Sequence, residues 1–160
     1  NWGGAGRCYN NNPANCQTSG MLYSWQEATG GVSSTPTQPV QGICPAGWHI
    51  PSNDEWVTML DELGGAAVAG GELKSVGGWN APNTGATNSS GFSALPGGYG
   101  TSAMGGNWTF ANYGATGYWL SSSLYAPGQA YIIGMAFISA AASTNYFSTQ
   151  DAYSLRCIKD

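Results

Sequence analysis

Four cysteines constrain this chain more than any other feature of its sequence. They are Cys8, Cys16, Cys44 and Cys157, in a chain of 160 residues. An even number of cysteines in a weakly charged, Gly-rich chain predicts disulfides and therefore an oxidising, extracellular compartment. Four cysteines allow three connectivities. Pairing of Cys8 with Cys16 and of Cys44 with Cys157 is favoured.

The two bridges of the favoured pairing differ in the length of chain that they close. Cys8 and Cys16 bracket an Asn-rich, turn-forming segment that a local bridge would pin. Cys44 and Cys157 would tie the start of the main part of the chain to its last strand. In the chain-entropy model, the long loop contributes about 4–5 kcal/mol to the free energy of unfolding and the short loop about 2–3 kcal/mol.

Zinc and a catalytic thiol are the alternatives to disulfides. The sequence has no CxxC pair and a single histidine, His49, so it predicts no metal site and no cofactor. A reactive thiol needs a basic neighbour that lowers its pKa. Cys157 follows Arg156, but surface packing explains that arginine equally well.

Charged residues are scarce. Four Lys or Arg and eight Asp or Glu make up 8% of the chain, whereas about 25% is usual. Four basic residues cannot track a phosphate backbone, so nucleic acid is not an expected partner. A surface this neutral faces carbohydrate, is covered by neighbouring subunits, or is simply a solvated extracellular surface.

The sequence predicts neither a membrane span nor a signal peptide. No apolar run reaches the ~18 residues that cross a bilayer, and the longest candidate, 130–142, contains Gly134 and Ser139. The signal of an exported protein would have been removed or would lie outside this chain.

Two helices are predicted, after a loop over residues 1–20. The first spans Met21–Thr29, with Leu22, Trp25 and Ala28 on one face, and ends at Gly30-Gly31. The second begins at Ser52, which forms an S-x-x-E capping box with Glu55, and ends at Gly64-Gly65. Its core-facing stripe consists of Trp56, Met59, Leu60 and Leu63. Capping and the helix dipole account for Asp54 and Glu55, so a catalytic pair is not expected there.

The rest of the chain consists of short segments separated by Gly, Asn and Pro. Strands are predicted at 117–122, 130–138 and 154–159. The Gly-rich segment from Gly77 to Ala115 is predicted to form long loops, which are uncommon unless they are functional. Two helices followed by many short strands predict an α+β fold.

A series of motifs resembles the Fibrobacter succinogenes major paralogous domain family. The most specific is Gly42–Ser52 (GICPAGWHIPS), continued by Asp54-Glu55-Trp56. Other matching motifs, in order along the chain, are Cys8-Tyr9, Ala14-Asn15-Cys16, Leu22–Trp25, Leu73-Lys74-Ser75, Gly91–Tyr99, Gly117-Tyr118-Trp119 with Ser121-Ser122, and Ser154–Asp160. The resemblance covers the chain from about residue 8 to its end.

The family is similar to the C-type-lectin-like and formylglycine-generating-enzyme superfamily. The resemblance implies one lectin-like domain over residues 1–160, with two short helices, small antiparallel sheets and long Gly-rich loops. A loop and short helix would occupy 1–30, and the motif-bearing region 42–160. The pair Cys44–Cys157 would correspond to the long disulfide of lectin-like domains. Family members are secreted or surface proteins of bacteria.

The departures from the superfamily argue against its known chemistries. Calcium-dependent lectins use Glu-Pro-Asn or Gln-Pro-Asp together with Trp-Asn-Asp, whereas here Trp79-Asn80 is followed by Ala81. The segment 77–115 contains no acidic residue to hold calcium. Formylglycine generation needs a reactive cysteine, and all four are expected to be paired. Since no nucleophile, base and orienting group can be assembled, the chain is not expected to be an enzyme.

Aromatic and amide side chains in the Gly-rich segment are the candidate ligand-binding residues. Flat rings can stack on sugar faces and amides can bond to hydroxyls, although such aromatics also fill cores. The candidates are Trp79, Asn80, Asn83, Tyr99, Asn107, Trp108 and Tyr113. His49, without a second histidine or a free cysteine, is expected to be structural. The sequons at Asn88 and Asn107 are expected by chance in an Asn-rich chain.

Two functions follow as hypotheses. The first is a non-catalytic, extracellular bacterial module that binds a glycan or another cell-surface ligand through its 77–115 face. The second is a structural subunit of a pilus or extracellular filament that self-assembles through its low-charge surface. Some family members carry a pilin-like helix, which would lie upstream of Asn1.

Overall fold

Side-chain hydrogen bonds cap the amino-terminal ends of three of the described α-helices. The computed structural model describes residues 6–102 and 106–160. The described helices are the 3-10 turn Tyr9–Asn11 and the α-helices α1 (Pro13–Ser19), α2 (Trp25–Thr29), α3 (Asn53–Glu62) and α4 (Ala66–Leu73).

The predicted capping box of α3 is confirmed. The Ser52 hydroxyl accepts a hydrogen bond from the Glu55 amide, and the Glu55 carboxylate accepts one from the Ser52 amide. Trp56 and Leu60 are buried beneath the helix, with Met59 and Leu63 partly buried beside them. Because these two hydrogen bonds pair backbone amides that would otherwise lack acceptors, they define the amino-terminal end of α3.

The first predicted helix is shorter than expected. It begins at Trp25, behind a Ser24–Glu27 capping box, and ends as predicted at Gly30, whose φ of 68° is left-handed. Residues 23 and 24 are extended instead of helical. Leu22, Trp25 and Ala28 are nevertheless all buried, so the predicted inward face is correct.

Two predictions about helices are wrong. The described part of the segment 1–20 is not a loop, because Asn12 caps α1 and Pro13 occupies its first turn; residues 1–5 lie outside the described residues. The chain forms four α-helices in its described parts instead of two. The fourth, α4, contains Gly70 and Gly71, which lie against the backbone of Ala141 and Gly85 where a side chain would clash.

In the described part of the chain, nine strands form three antiparallel sheets, which confirms the α+β class. The strands are β1 (Tyr23–Ser24), β2 (Trp48–His49), β3 (Tyr99–Ser102), β4 (Trp108–Ala111), β5 (Thr116–Ala126), β6 (Gln129–Ala136), β7 (Ala142–Ser148), β8 (Ala152–Tyr153) and β9 (Ile158–Lys159). Their order is β1-β8-β3-β4, β2-β9 and β5-β6-β7.

The strand predictions are correct in part. The segments 117–122 and 130–138 overlap β5 and β6. The single strand predicted over 154–159 is wrong: only Ile158–Lys159 is a strand, and Ser154 instead forms a parallel bridge with Trp119 of β5. The segment 77–115, predicted as loops, also contains the β3–β4 hairpin.

Both predicted disulfides are present. Cys8 pairs with Cys16, with Cα atoms 5.0 Å apart, and Cys44 pairs with Cys157, with Cα atoms 5.9 Å apart. The first bridge closes over the 3-10 turn and fastens α1. The second joins the segment before β2 to the residue before β9, so it reinforces the pairing of these two strands.

The core consists of two clusters on the β5–β6 strands. One gathers Trp56 and Leu60 of α3, Leu73 of α4, and Trp119 and Ile133 of the sheet. The other contains Tyr23, Trp25, Ala28, Cys44, Ile50, Leu120, Ala130, Ile132 and Tyr153. Alternate residues of β5 and β6 therefore belong to different clusters, because successive side chains of a strand lie on opposite faces of the sheet.

Lys74 is the one completely buried basic side chain in the described residues. Its ammonium group donates hydrogen bonds to the carbonyls of Thr84 (2.9 Å), Ala136 (3.1 Å) and Ser139 (2.8 Å). It also lies 5.4 Å from the centre of the Trp79 ring. Burial lowers the pKa of Lys74. The three bonds fasten the loop after α4 to the end of β6.

The described helices include none whose length and hydropathy would suit a crossing of the bilayer.

Candidate functional site

A cleft of about 750 Å³ has a size typical of ligand sites, which span roughly 300–1,000 Å³. Three segments that are far apart in the sequence line it. They are the end of α1 with the residues after it (16–21), the loop and strand at 43–48, and the segment 154–157. Tyr23, Leu95 and Trp119 are the other described lining residues.

Both disulfides border this cleft. Cys16 and Cys157 are lining residues, so one bridge fastens the α1 wall and the other fastens the wall formed by 154–157. Trp48 of β2 is paired with Lys159 of β9, and its side chain is 39% exposed. A rigid frame therefore presents an indole ring at the cleft.

The polar groups of the cleft are almost all neutral. Gln17, Thr18, Ser19 and Ser154 contribute amide and hydroxyl groups, and Arg156 is the only charged side chain among the described residues that line the cleft. The guanidinium group of Arg156 already donates to the carbonyls of Phe92 (3.2 Å) and Ser93 (3.4 Å). The described lining thus offers an aromatic wall and neutral hydrogen-bonding groups, and it contains no carboxylate.

A second, smaller concavity of about 260 Å³ lies between the sheets. We call it the aromatic cup and define it by its lining residues, which are Tyr99, Thr101, Tyr118, Phe147, Asp151 and Tyr153. Four of the six are aromatic, and one is a carboxylate.

The first three predicted ligand-binding residues hold the loop after α4 in shape. Trp79 is 8% exposed, and its indole N–H donates to the Ala94 carbonyl at 2.9 Å. The backbone amide of Asn80 donates to the Gly114 carbonyl at 2.8 Å. The side-chain amide of Asn83 donates to the Ser75 carbonyl at 3.1 Å. The Trp79 ring therefore presents no free face to a sugar in this conformation.

The other four predicted residues are distributed over different surroundings. Tyr99 lines the aromatic cup, and Asn107 is exposed next to β4. The Trp108 ring is covered by the guanidinium group of Arg7, 3.7 Å from its centre. The Tyr113 hydroxyl accepts a hydrogen bond from Ser19 at 2.7 Å, which supports the α1 wall of the cleft.

Of the six cup residues, only Tyr99 is among the predicted ligand-binding residues, and Trp48 of the cleft is not predicted either. Trp48 belongs to the most specific family motif. Phe147, Asp151 and Tyr153 lie outside the Gly-rich segment that supplies the predicted residues. The available signal was the density of aromatic residues in 146–153, where Tyr146, Phe147 and Tyr153 accompany a single acidic residue.

His49 is held between two carboxylates on opposite sides of its ring. Nδ1 lies 2.6 Å from Asp160 and Nε2 lies 2.8 Å from Glu55. Partial burial acts to lower the His49 pKa, but the hydrogen bonds to both acids outweigh it and raise the pKa above its ordinary value. Because the acids do not converge on a common point, this arrangement is a structural clamp between α3 and the end of β9.

Within residues 6–102 and 106–160, no set of three His, Cys, Asp or Glu side chains is arranged to hold a metal ion. All four thiols are engaged in disulfides. The described side chains therefore offer neither a metal centre nor a free nucleophilic sulfur.

The relationship of the chain to known proteins agrees with the motifs in its sequence. Neither a curated protein nor a solved structure matches it significantly. The sequence of the chain matches the family model of the Fibrobacter succinogenes major domain over residues 4–159, which is nearly its whole length. The chain therefore belongs to the Fibrobacter succinogenes major domain family.

Proposed function

We propose that the chain is a non-catalytic, extracellular binding module and that it holds an uncharged glycan in the large cleft. The observation that carries this proposal is the lining itself. A half-exposed Trp48 stands beside neutral hydroxyl and amide groups in a space of about 750 Å³. Apolar sugar faces suit an aromatic wall, and sugar hydroxyls suit neutral donors and acceptors.

The proposed glycan site differs from the one predicted from the sequence, which was the long-loop face of the segment 77–115. The described residues of the segment 77–115 contribute Leu95 to the cleft and Tyr99 and Thr101 to the aromatic cup. Residues 103–105 of the segment lie outside the described residues. The cleft therefore replaces the 77–115 face as the proposed glycan site.

We further propose that the fold is of the C-type-lectin-like type and that the protein functions at the bacterial cell surface. Three features support this. The long disulfide joins the segments before β2 and β9, β1 pairs with β8, and a loop-rich segment lies between α4 and β3. Two disulfides suit an oxidising compartment.

A glycan array tests the proposed site. We expect the wild-type protein to bind a subset of neutral glycans and Trp48→Ala to weaken that binding about tenfold or more, because an aromatic anchor is lost. Tyr125→Ala is the matched control, since Tyr125 is 48% exposed and is not part of the cleft lining. Unchanged binding by folded Trp48→Ala, or no glycan bound by the folded wild type, would contradict the proposal.

A second candidate function, a filament subunit, is favoured by β7. This strand lies at the edge of its sheet, and Ser143–Ser148 is exposed along its length. The strand contains no charged residue and no proline. Charged residues and prolines are the ones by which proteins usually prevent an edge strand from pairing with another chain. Tyr125 and Tyr146 stack beside it with ring centres 3.8 Å apart, and both are about half exposed.

Electron microscopy and light scattering of concentrated protein test this second function. We expect ordered assemblies for the wild type and a monomer for Thr144→Lys, because a lysine in β7 disfavours edge-to-edge pairing. Thr58→Lys, on the exposed side of α3, is the matched control. Monomeric wild-type protein at high concentration, or assembly unaffected by Thr144→Lys, would exclude pairing through β7.

A further inference from the structure

The aromatic cup is built by residues from four strands and one turn. Tyr153 of β8 is 2% exposed and forms its floor. Tyr118 of β5 stands nearly perpendicular to Tyr153 at 5.9 Å, and also to Tyr99 of β3 at 5.8 Å. Phe147 of β7 lies 5.8 Å from Tyr118 and 6.0 Å from Tyr153.

These contacts do not fill the space between the rings. A concavity of about 260 Å³ remains, and Phe147 at its margin is 41% exposed. A purely structural aromatic cluster would be expected to close such a gap, because protein interiors pack to the density of organic crystals. The volume is slightly below the roughly 300 Å³ at which pockets for whole drug-sized ligands begin, so the cup suits a head group.

The groups that line the cup favour a positively charged ligand. Aromatic rings carry negative charge on their faces, and Asp151 adds a carboxylate. No Lys, Arg or His is among the described residues that line it. Partial burial raises the pKa of Asp151, and hydrogen bonds from the Ser102 backbone and the Tyr153 side chain oppose that rise.

We propose that the aromatic cup binds an alkylated ammonium group, with its alkyl carbons against the rings of Tyr99, Tyr118 and Phe147 and its charge balanced by Asp151. Cation–π attraction to several rings and one nearby anion both favour such a group. This proposal is independent of the glycan proposal, because the cup and the cleft share no lining residue.

The substituents on the nitrogen decide between a primary and an alkylated ammonium. A primary ammonium carries three N–H donors that need acceptors once it leaves water. The lining has acceptors in Asp151, in the Thr101 hydroxyl and in the hydroxyls of Tyr99, Tyr118 and Tyr153, but its ring faces have none. A quaternary ammonium has no N–H to satisfy and presents only weakly hydrated methyl groups. The ring faces of the cup therefore favour an alkylated nitrogen, and Asp151 favours its positive charge.

Isothermal titration calorimetry with choline chloride is the first test. We expect millimolar or tighter binding that weakens as salt is added. Its neutral isostere, 3,3-dimethylbutan-1-ol, has the same shape without the charge and is expected to bind at least tenfold more weakly. Methylammonium chloride is expected to bind more weakly than tetramethylammonium chloride.

Two conservative variants separate the contributions of charge and ring. Asp151→Asn keeps the shape and removes the charge, and Phe147→Leu keeps the apolar surface and removes one ring. We expect each to weaken choline binding about five- to tenfold with the fold intact by circular dichroism. Tyr125→Leu, an exposed tyrosine that is not part of the cup lining, is expected to bind like the wild type.

Several results would overturn the proposal. They are no heat of binding from folded wild-type protein at 50 mM choline, equal binding of the neutral isostere, or unchanged binding by both Asp151→Asn and Phe147→Leu. If choline binds, co-sedimentation with phosphatidylcholine vesicles shows whether the cup also takes the group from a lipid surface. Vesicle binding that Phe147→Leu abolishes supports a lipid source, and its absence supports a soluble cation. Failure of the glycan array would leave these outcomes unaffected.

Discussion

At the scale of single residues, Lys74 is completely buried, and its ammonium group joins three backbone carbonyls from different parts of the chain. A buried ammonium group is costly unless its donors are all used, and here three backbone carbonyls take them. Lysine is usually an exposed residue, so its burial could not be deduced from the sequence, where it appeared only within the Leu73-Lys74-Ser75 motif. The capping role of Ser52, in contrast, was predictable because a capping box lies within four consecutive residues.

Replacing Lys74 with methionine is expected to lower the free energy of unfolding by about 3–5 kcal/mol. Methionine fills a similar volume but leaves the carbonyls of Thr84 and Ser139 without the donor that Lys74 supplies, whereas the Ala136 carbonyl still accepts from the Ser139 amide. Urea unfolding followed by tryptophan fluorescence measures the change. Lys159→Met, an exposed lysine in β9, is the matched control and should change stability by less than about 0.5 kcal/mol. A loss below about 1 kcal/mol in Lys74→Met would show that water replaces the ammonium group.

The clamp on His49 predicts a stability that depends on pH. The folded-state pKa is raised above 6.5, so the folded protein holds the proton more tightly than the unfolded chain. The resulting stabilisation is complete below about pH 6.5 and is lost as the pH rises through the folded-state pKa. We expect urea midpoints to fall between pH 6 and pH 9 in the wild type and to fall less in His49→Gln. A His49 proton resonance that titrates at or below pH 6.5 would contradict the clamp.

At the scale of secondary-structure elements, capping determines the boundary of α3. Ser52→Ala removes the hydroxyl that accepts from Glu55 and is expected to cost about 1 kcal/mol. Thr58→Ala, an exposed change in the same helix, is the matched control and should cost less than about 0.5 kcal/mol. Both changes are measured by urea unfolding at pH 7. Equal effects of the two substitutions would mean that the capping box does not stabilise the helix.

Elements without a strong local pattern were the ones that the sequence did not reveal. Helix α4 has only Ala, Val and two glycines in its first six positions, so it shows no polar face. Strand β7 is exposed on both faces and lacks the alternation of a half-buried strand. The segment 154–159 does not form one continuous strand, because Ser154 pairs with β5 whereas Ile158 pairs with β2. Both partners are distant in the sequence, so this change of partner has no local signal.

At the scale of the whole molecule, the two disulfides contribute unequally. They close segments of 8 and 113 residues, for which the chain-entropy model gives about 2.5 and about 5 kcal/mol. We expect Cys44→Ala/Cys157→Ala to be the less stable of the two paired double variants. Thermal and urea unfolding of both variants test this order. The reverse order would indicate that fastening α1 matters more than closing the long loop.

The disulfide connectivity, the α+β class and the family were all predictable, because each rests on residue types and short motifs. The cleft and the cup were not, because each is assembled from distant segments. The cleft joins residues near 17, 45 and 155, and the cup joins residues near 100, 118 and 150. The individual aromatic residues are ordinary in the sequence. Only the folded chain shows that Tyr99 borders an open space and that Trp79 does not.

The bridge between Cys44 and Cys157 also determines how the molecule responds to mechanical tension. A pull applied to the chain on either side of this bridge passes through its sulfur atoms and bypasses the segment between them. The two cysteines are 113 positions apart in the sequence, and the chain between them would otherwise span up to roughly 370–400 Å when fully stretched. Helices α3 and α4, the β5–β6–β7 sheet and the aromatic cup all lie within it. They therefore bear none of a load that is applied to the chain outside the bridge.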